Sequence, residues 1–168
     1  MGYKVRKGFT LIELTVVLVI LSITALLVMP KLFPRDDAGL KSSARTLAST
    51  LRYLQERAIA TRINYNLKFQ FPDGIVTVKT VSDAGFEEVT DDAALRERIL
   101  SEGVSVEDVV LNARGRINEG EVSVRIGTEG LQELLTVHLK SSGGHYTVIA
   151  YPVSGKVQIQ EGYREATL

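Results

Sequence analysis

From Phe9 to Met29 the chain is apolar at almost every position; the 21-residue run FTLIELTVVLVILSITALLVM carries one ionisable residue, Glu13. Wound as a helix it is about 31 Å long at ~1.5 Å per residue, about the thickness of a bilayer's hydrocarbon core. The run has no polar face, so it predicts a membrane span over 9–29 rather than a helix half-buried on a domain core. The hydroxyls of Thr10, Thr15, Ser22 and Thr24 can bond back to helix carbonyls and need no water.

After the run the pattern breaks. Pro30 and Pro34 each lack an amide hydrogen, so PKLFPRDDAG predicts a kinked or unwound junction over 30–39. Leu40, Ala44, Leu47, Leu51, Leu54 and Ala58 then recur at alternating spacings of four and three. This is one face of an amphipathic helix over 40–62, turned toward the domain's own sheet, with Lys41, Arg45, Arg52 and Arg57 elsewhere on its surface.

From Ile63 the period becomes two. Tyr65, Leu67, Phe69 and Phe71 alternate with Asn64, Asn66, Lys68 and Gln70, which predicts a half-buried strand. Pro72-Asp73-Gly74 predicts a turn, and 75–81 its hairpin partner. Ala94, Leu95 and Ile99 predict a short helix capped by Asp91 or Asp92. Strand-like runs follow at 104–111, 122–126, 134–140, 145–151 and 156–160, with Gly- and Ser-containing turns between them. Residues 63–168 therefore predict a β-rich domain of seven or eight short strands, a small sandwich or a pair of packed sheets, and the chain as a whole is α+β.

Charge gives the apolar run a direction. The preceding segment, MGYKVRKG, holds Lys4, Arg6 and Lys7 and no acid, so this end stays in the cytoplasm and everything after Met29 is exported. A cleavable secretory signal needs small residues at A-x-A spacing after the apolar stretch, and LLVMPKLFP offers none. Glu13 needs a reason, because a carboxylate at the centre of a span costs about 2.5–3.5 kcal/mol and somewhat less near its edge. It stands in the first turn, where the helix dipole helps it slightly. A cut between Gly8 and Phe9 would create an α-amino cation one turn away, able to neutralise Glu13 in the same chain or in a neighbour. Otherwise the carboxylate reaches the headgroups or is protonated.

The string Lys7-Gly8-Phe9-Thr10-Leu11-Ile12-Glu13-Leu14, with its short basic leader and apolar run, resembles the prepilin N-terminal motif of type IV pilins and type II secretion pseudopilins. The resemblance implies removal of leader 1–8 by a prepilin peptidase that cuts after Gly8, and N-methylation of Phe9. It also implies that Glu13 guides assembly of a helical filament by pairing with a neighbour's N-terminus. Pro30 sits where this family often has a proline. In this family the 40–62 helix is the lower half of a long spine laid across a sheet. A second resemblance covers roughly residues 40–160. Ile126-Gly127-Thr128-Glu129-Gly130, then LTVHLKSS, then YTVIAYPVSGKVQI with its Gly155-Lys156-Val157 turn, is similar to the end of the GspH/FimT-type minor pseudopilin domain. That implies a pilin-like fold, a long N-terminal helix on a mainly antiparallel β-sandwich. The calcium loop of major pseudopilins has no counterpart in GYREATL.

Composition narrows the chemistry. The chain has 20 Lys+Arg and 20 Asp+Glu, which argues against a strongly basic nucleic-acid binder. Loss of the leader would leave 17 against 20, a mildly acidic mature chain. With no cysteine there is no disulfide, thiol nucleophile or Cys-ligated metal. His138 lies on the strand face of Thr136 and Lys140, predicted to meet solvent, and His145 follows a glycine turn. Two histidines without a placed carboxylate make a poor metal case. Asp36-Asp37 and Asp91-Asp92 read as caps and solvated loops. Arg114-Gly115-Arg116 is a small basic turn without interleaved aromatics. No catalytic, nucleotide or cofactor motif is present.

The expected function is that of a minor pseudopilin of a type II secretion system, not an enzyme, with no cofactor and no metal. Its expected location is the bacterial inner membrane, in a single pass with the domain in the periplasm. Its expected partners are other major and minor pseudopilins, the prepilin peptidase and secreted cargo, but not nucleic acid. The alternative is a FimT-like minor type IV pilin acting in pilus assembly or DNA uptake, which would need Lys and Arg clustered on an exposed face.

Overall fold

The computed structural model describes residues 11–32, 37–82, 85–96, 98–152 and 154–165. The chain divides into two compact units, 1–35 and 36–168. In the first, helix α1 spans Leu11–Leu32 and so includes Pro30. Pro34 lies outside the described residues, as do Gly8 and Phe9.

The second unit begins with helix α2, Asp37–Thr61, three residues earlier than the apolar periodicity indicates. Arg62 ends it in the left-handed region at φ 58°. All six apolar positions predicted for its inner face are buried, together with Ser43, Ala48 and Gln55. Ten strands follow among the described residues: β1 Asn64–Gln70, β2 Ile75–Val81, β3 Glu87–Val89, β4 Ser105–Leu111, β5 Gly115–Ile117, β6 Glu121–Gly127, β7 Gly130–Leu131, β8 Leu135–Ser141, β9 Gly144–Ala150 and β10 Val157–Glu161. The count exceeds the seven or eight expected because β3, β5 and β7, of two or three residues each, are too short to show an alternation of their own.

The strands form two antiparallel sheets, one in the order β3-β2-β1-β6-β7 and the other β10-β9-β8-β4-β5. The chain passes from the first sheet to the second, back, and to the second again, so neither sheet is a continuous piece of sequence. Helix α2 packs on β1, β6 and β7 of the first sheet and on β8, β9 and β10 of the second. One core results, running from Leu40 to Val157 and including Leu51, Phe69, Val109, Val124 and Leu135. A fully buried Leu or Phe contributes roughly 1.5–3 kcal/mol.

Between β2 and β4, Asp92 caps helix α3, Ala93–Arg96; its Oδ1 accepts from Ala94 N at 3.0 Å. Its other oxygen accepts from the Tyr53 hydroxyl of α2, which lowers the Asp92 carboxyl and raises the Tyr53 phenol. Strand β4 carries a bulge between Val106 and Asp108. The extra residue resets the alternation. Val106 and Val109 both face the core, while Glu107 and Asp108 both lie on the outer face.

Candidate functional site

The described side chains of α1, residues 11–25, are exposed on every side of the helix, with Leu11 at 82% and Ile12 at 72%. Its few hydroxyls turn inward on the backbone: Thr15 Oγ1 donates to Ile12 O at 2.8 Å, Ser22 Oγ to Leu18 O at 2.8 Å and Thr24 Oγ1 to Ile20 O at 2.7 Å. What remains, Glu13 aside, is apolar surface all round. Glu13 stands in the first turn of this helix, as the sequence places it. Among the described residues no helix is long and apolar enough to cross a membrane. The described apolar stretch, 11–25, is about 22 Å long at ~1.5 Å per residue.

The second unit holds a polar site that the sequence reading missed. His138, expected at the surface, is completely buried on the outer face of the second sheet. What covers it is the chain segment after β10. Gly162 N donates to His145 O at 2.8 Å, Thr147 Oγ1 to Gly162 O at 2.7 Å and Arg164 N to Thr147 Oγ1 at 2.9 Å. The Tyr163 ring stacks on the His138 ring at 3.7 Å and 12°, and its hydroxyl donates to Asp108 Oδ2 at 2.8 Å. His138 Nδ1 meets Asp108 Oδ1 at 2.6 Å, and its Nε2 meets Arg164 O at 2.9 Å. At the far edge Arg116 pairs with Glu165 at 3.0 Å and lies 5.5 Å from the centre of the Tyr163 ring. Residues 162–165 thus cross the sheet from β10 to β5 as a strap. Burial first, then the Asp108 hydrogen bond, pushes the Tyr163 phenol up to about 12. Beside the strap lies a cavity of about 270 Å³ lined by Val110, Asn112, Arg116, Leu134, Thr136, His138 and Glu165.

Each histidine does have a carboxylate, but not a shared one. His145 Nε2 lies 3.0 Å from Glu107 Oε2, close enough for an ion pair but without the alignment of a hydrogen bond. Among the described residues no group of three or more His, Asp or Glu could hold a metal ion. The Arg114-Gly115-Arg116 turn is occupied as well: Arg114 Nη2 reaches Ser123 O at 3.0 Å and Glu133 Oε1 at 3.3 Å, and Arg116 holds Glu165. On the first sheet Lys68 sits between Glu87 at 2.7 Å and Glu121 at 2.8 Å. Hydrogen bonds from Lys68, then from Asn66 and Gln70, lower the two carboxyls, and Glu121 then Glu87 raise the lysine.

Comparison with known proteins brings the two units together. The model of the prokaryotic N-terminal methylation motif matches residues 3–29. Two solved structures of the minor pseudopilin EpsH from the type 2 secretion system of Vibrio cholerae superpose on the chain. Both are 15% identical to it; one match covers 77% of this chain and 98% of the solved EpsH chain with a TM-score of 0.61, the other 73% and 97% with 0.55. The fold is that of a minor pseudopilin. The type IV minor pilin FimU of Pseudomonas aeruginosa is also similar, at 11% identity over 72% of this chain and 87% of FimU, with a TM-score of 0.48. No curated protein matches the chain in sequence. Of the residues predicted to act, Glu13 falls in the described helix, while the Gly8–Phe9 junction lies outside it.

Proposed function

We propose that this chain is a minor pseudopilin of a type II secretion system. A prepilin peptidase cuts it after Gly8 on the cytoplasmic side, and Phe9 becomes the methylated N-terminus. The 9–29 helix holds the subunit in the inner membrane until it enters a short periplasmic filament with other pseudopilins. Pro30, inside α1, and Pro34 kink the chain between the apolar run and the domain, and the β-rich domain meets neighbouring subunits or secreted cargo. The work is assembly rather than catalysis.

One observation carries the reading: a prepilin-type methylation motif and a minor-pseudopilin fold occur in one chain. Glu13 supplies the physical logic, since an acid in an apolar helix is stabilised when a neighbour's new N-terminal amine lies against it. Capture of DNA, the alternative, has less support, because both arginines of the 114–116 turn are held by acids of this chain. The test is Glu13→Leu in cells, followed by cross-linking to other pseudopilins. The variant is expected to be cut and to fold, with its filament cross-links lost. Undiminished cross-linking would remove Glu13 from assembly.

A further inference from the structure

The strap rests on polar contacts rather than on the core. Beneath it Asp108, Thr136, His138 and Thr147 are all buried, and the apolar core lies on the opposite face of the sheet. Opening the strap would therefore expose groups that water solvates well, and would leave the core closed. Gly162, at φ 85°, is the joint where the strap leaves β10.

Its hydrogen bonds also need a proton. Both ring nitrogens of His138 face oxygen: Asp108 Oδ1 at 2.6 Å and the carbonyl of Arg164 at 2.9 Å. A carbonyl only accepts, so Nε2 must carry a hydrogen. A neutral imidazole then has a lone pair at Nδ1, and a carboxylate has only lone pairs to meet it. The contact at Nδ1 forms only if the His138–Asp108 pair holds one further proton, on either partner. The second Asp108 oxygen is already taken by the Tyr163 hydroxyl.

We propose that residues 162–165 form a proton-locked latch over the outer face of the second sheet, closed while the His138–Asp108 pair holds its proton and released when that proton passes to solvent. The surroundings supply charges of both signs. From β4 comes Glu107, paired with Lys140 of β8 at 3.6 Å and with His145 of β9. His145 meets the Tyr163 ring edge-on at 6.2 Å. From β5 comes Arg116 and from the strap Glu165, which pair with each other. The strap also supplies Tyr163 and the Arg164 backbone. Opening leaves a polar sheet face bare and frees Arg116 from Glu165. The latch thereby makes one surface of the domain available in one protonation state and not in the other.

The test is amide hydrogen exchange on the full chain in detergent micelles, read at Gly162 and Arg164. Protection factors are taken from about pH 5 to about pH 9. Wild-type strap protection is expected to fall about tenfold per pH unit once the proton is leaving, while the amides of 65–69 in the first sheet keep theirs. Asp108→Asn is expected to stay closed with no such slope, because its amide N–H donates to Nδ1 and its oxygen still accepts from Tyr163. Tyr163→Phe, which keeps the stacked ring and the proton, is expected to lower protection but retain the slope. A wild-type strap indifferent to pH, or equal slopes in wild type and Asp108→Asn, overturns the proposal. Should Asp108→Asn not fold, the wild-type and Tyr163→Phe slopes decide it.

Discussion

Tyr163 donates its hydroxyl to Asp108 across 55 positions of sequence, at 2.8 Å, and this bond ties the strap after the last strand to the bulged strand β4. The bulge is what makes the contact possible. Were the alternation to run on unbroken from Val106, Asp108 would point into the core, where a carboxylate without partners is costly.

The bond predicts how the domain responds to alkali. A free tyrosine titrates near pH 10, and Tyr163 is pushed up to about 12 when folded. Folding therefore favours the protonated phenol. In molecules whose strap is closed this contribution is present below about pH 10 and is lost as the pH rises from there through about 12. Thermal melting as a function of pH is expected to show a fall in stability across that window, and Tyr163→Phe to show a smaller one. An identical alkaline profile in the variant would contradict the assignment.

Acid acts on the opposite sheet. Lys68 holds Glu87 and Glu121 below the ordinary carboxylate range, so their contribution is present above about pH 4.3 and lost as the pH falls through their folded values. Lys68→Met is expected to return both carboxyls toward the ordinary range in a carbon-detected NMR titration. If neither moves, the lysine is a bystander.

Gly74 and Gly120 separate two reasons for a glycine. Gly74 turns at φ +62°, and a Cβ there would lie 2.6 Å from Val106 N and 2.8 Å from Ser105 Cβ. Gly120 turns at φ +72° with nothing within 4 Å. An alanine at Gly120 meets only the left-handed cost, roughly 1–2 kcal/mol. At Gly74 the clash between the β1–β2 turn and β4 adds about 1–3 kcal/mol. Urea denaturation of the two variants is expected to rank Gly74→Ala well below Gly120→Ala; equal losses would mean that the turn gives way freely.

Much of the fold could be read from periodicity. The six inner positions of α2 and the seven longer strands announce themselves because residues turned toward the common core recur with each element's own period. The short strands β3, β5 and β7 exist because a neighbouring strand pairs with them, which leaves no mark in two or three residues. His138 was placed on the correct strand face and given the wrong environment. Strand alternation tells which side a residue takes, but not that Gly162-Tyr163-Arg164-Glu165, a polar segment more than twenty residues later, will lie across it. The adjacent acids Glu107 and Asp108, followed by Val109-Val110, were the one local sign that the alternation slips. The N-terminal motif needed no fold to be seen, because charge, junction, acid and apolar run stand in one continuous string.

The mass of the mature polypeptide isolated from its native membrane tests the account most directly. A chain beginning at Phe9 and heavier by one methyl group is the predicted result, with a Gly8 substitution yielding the uncut form. A native chain that retains residues 1–8, with no shortened species, would contradict it.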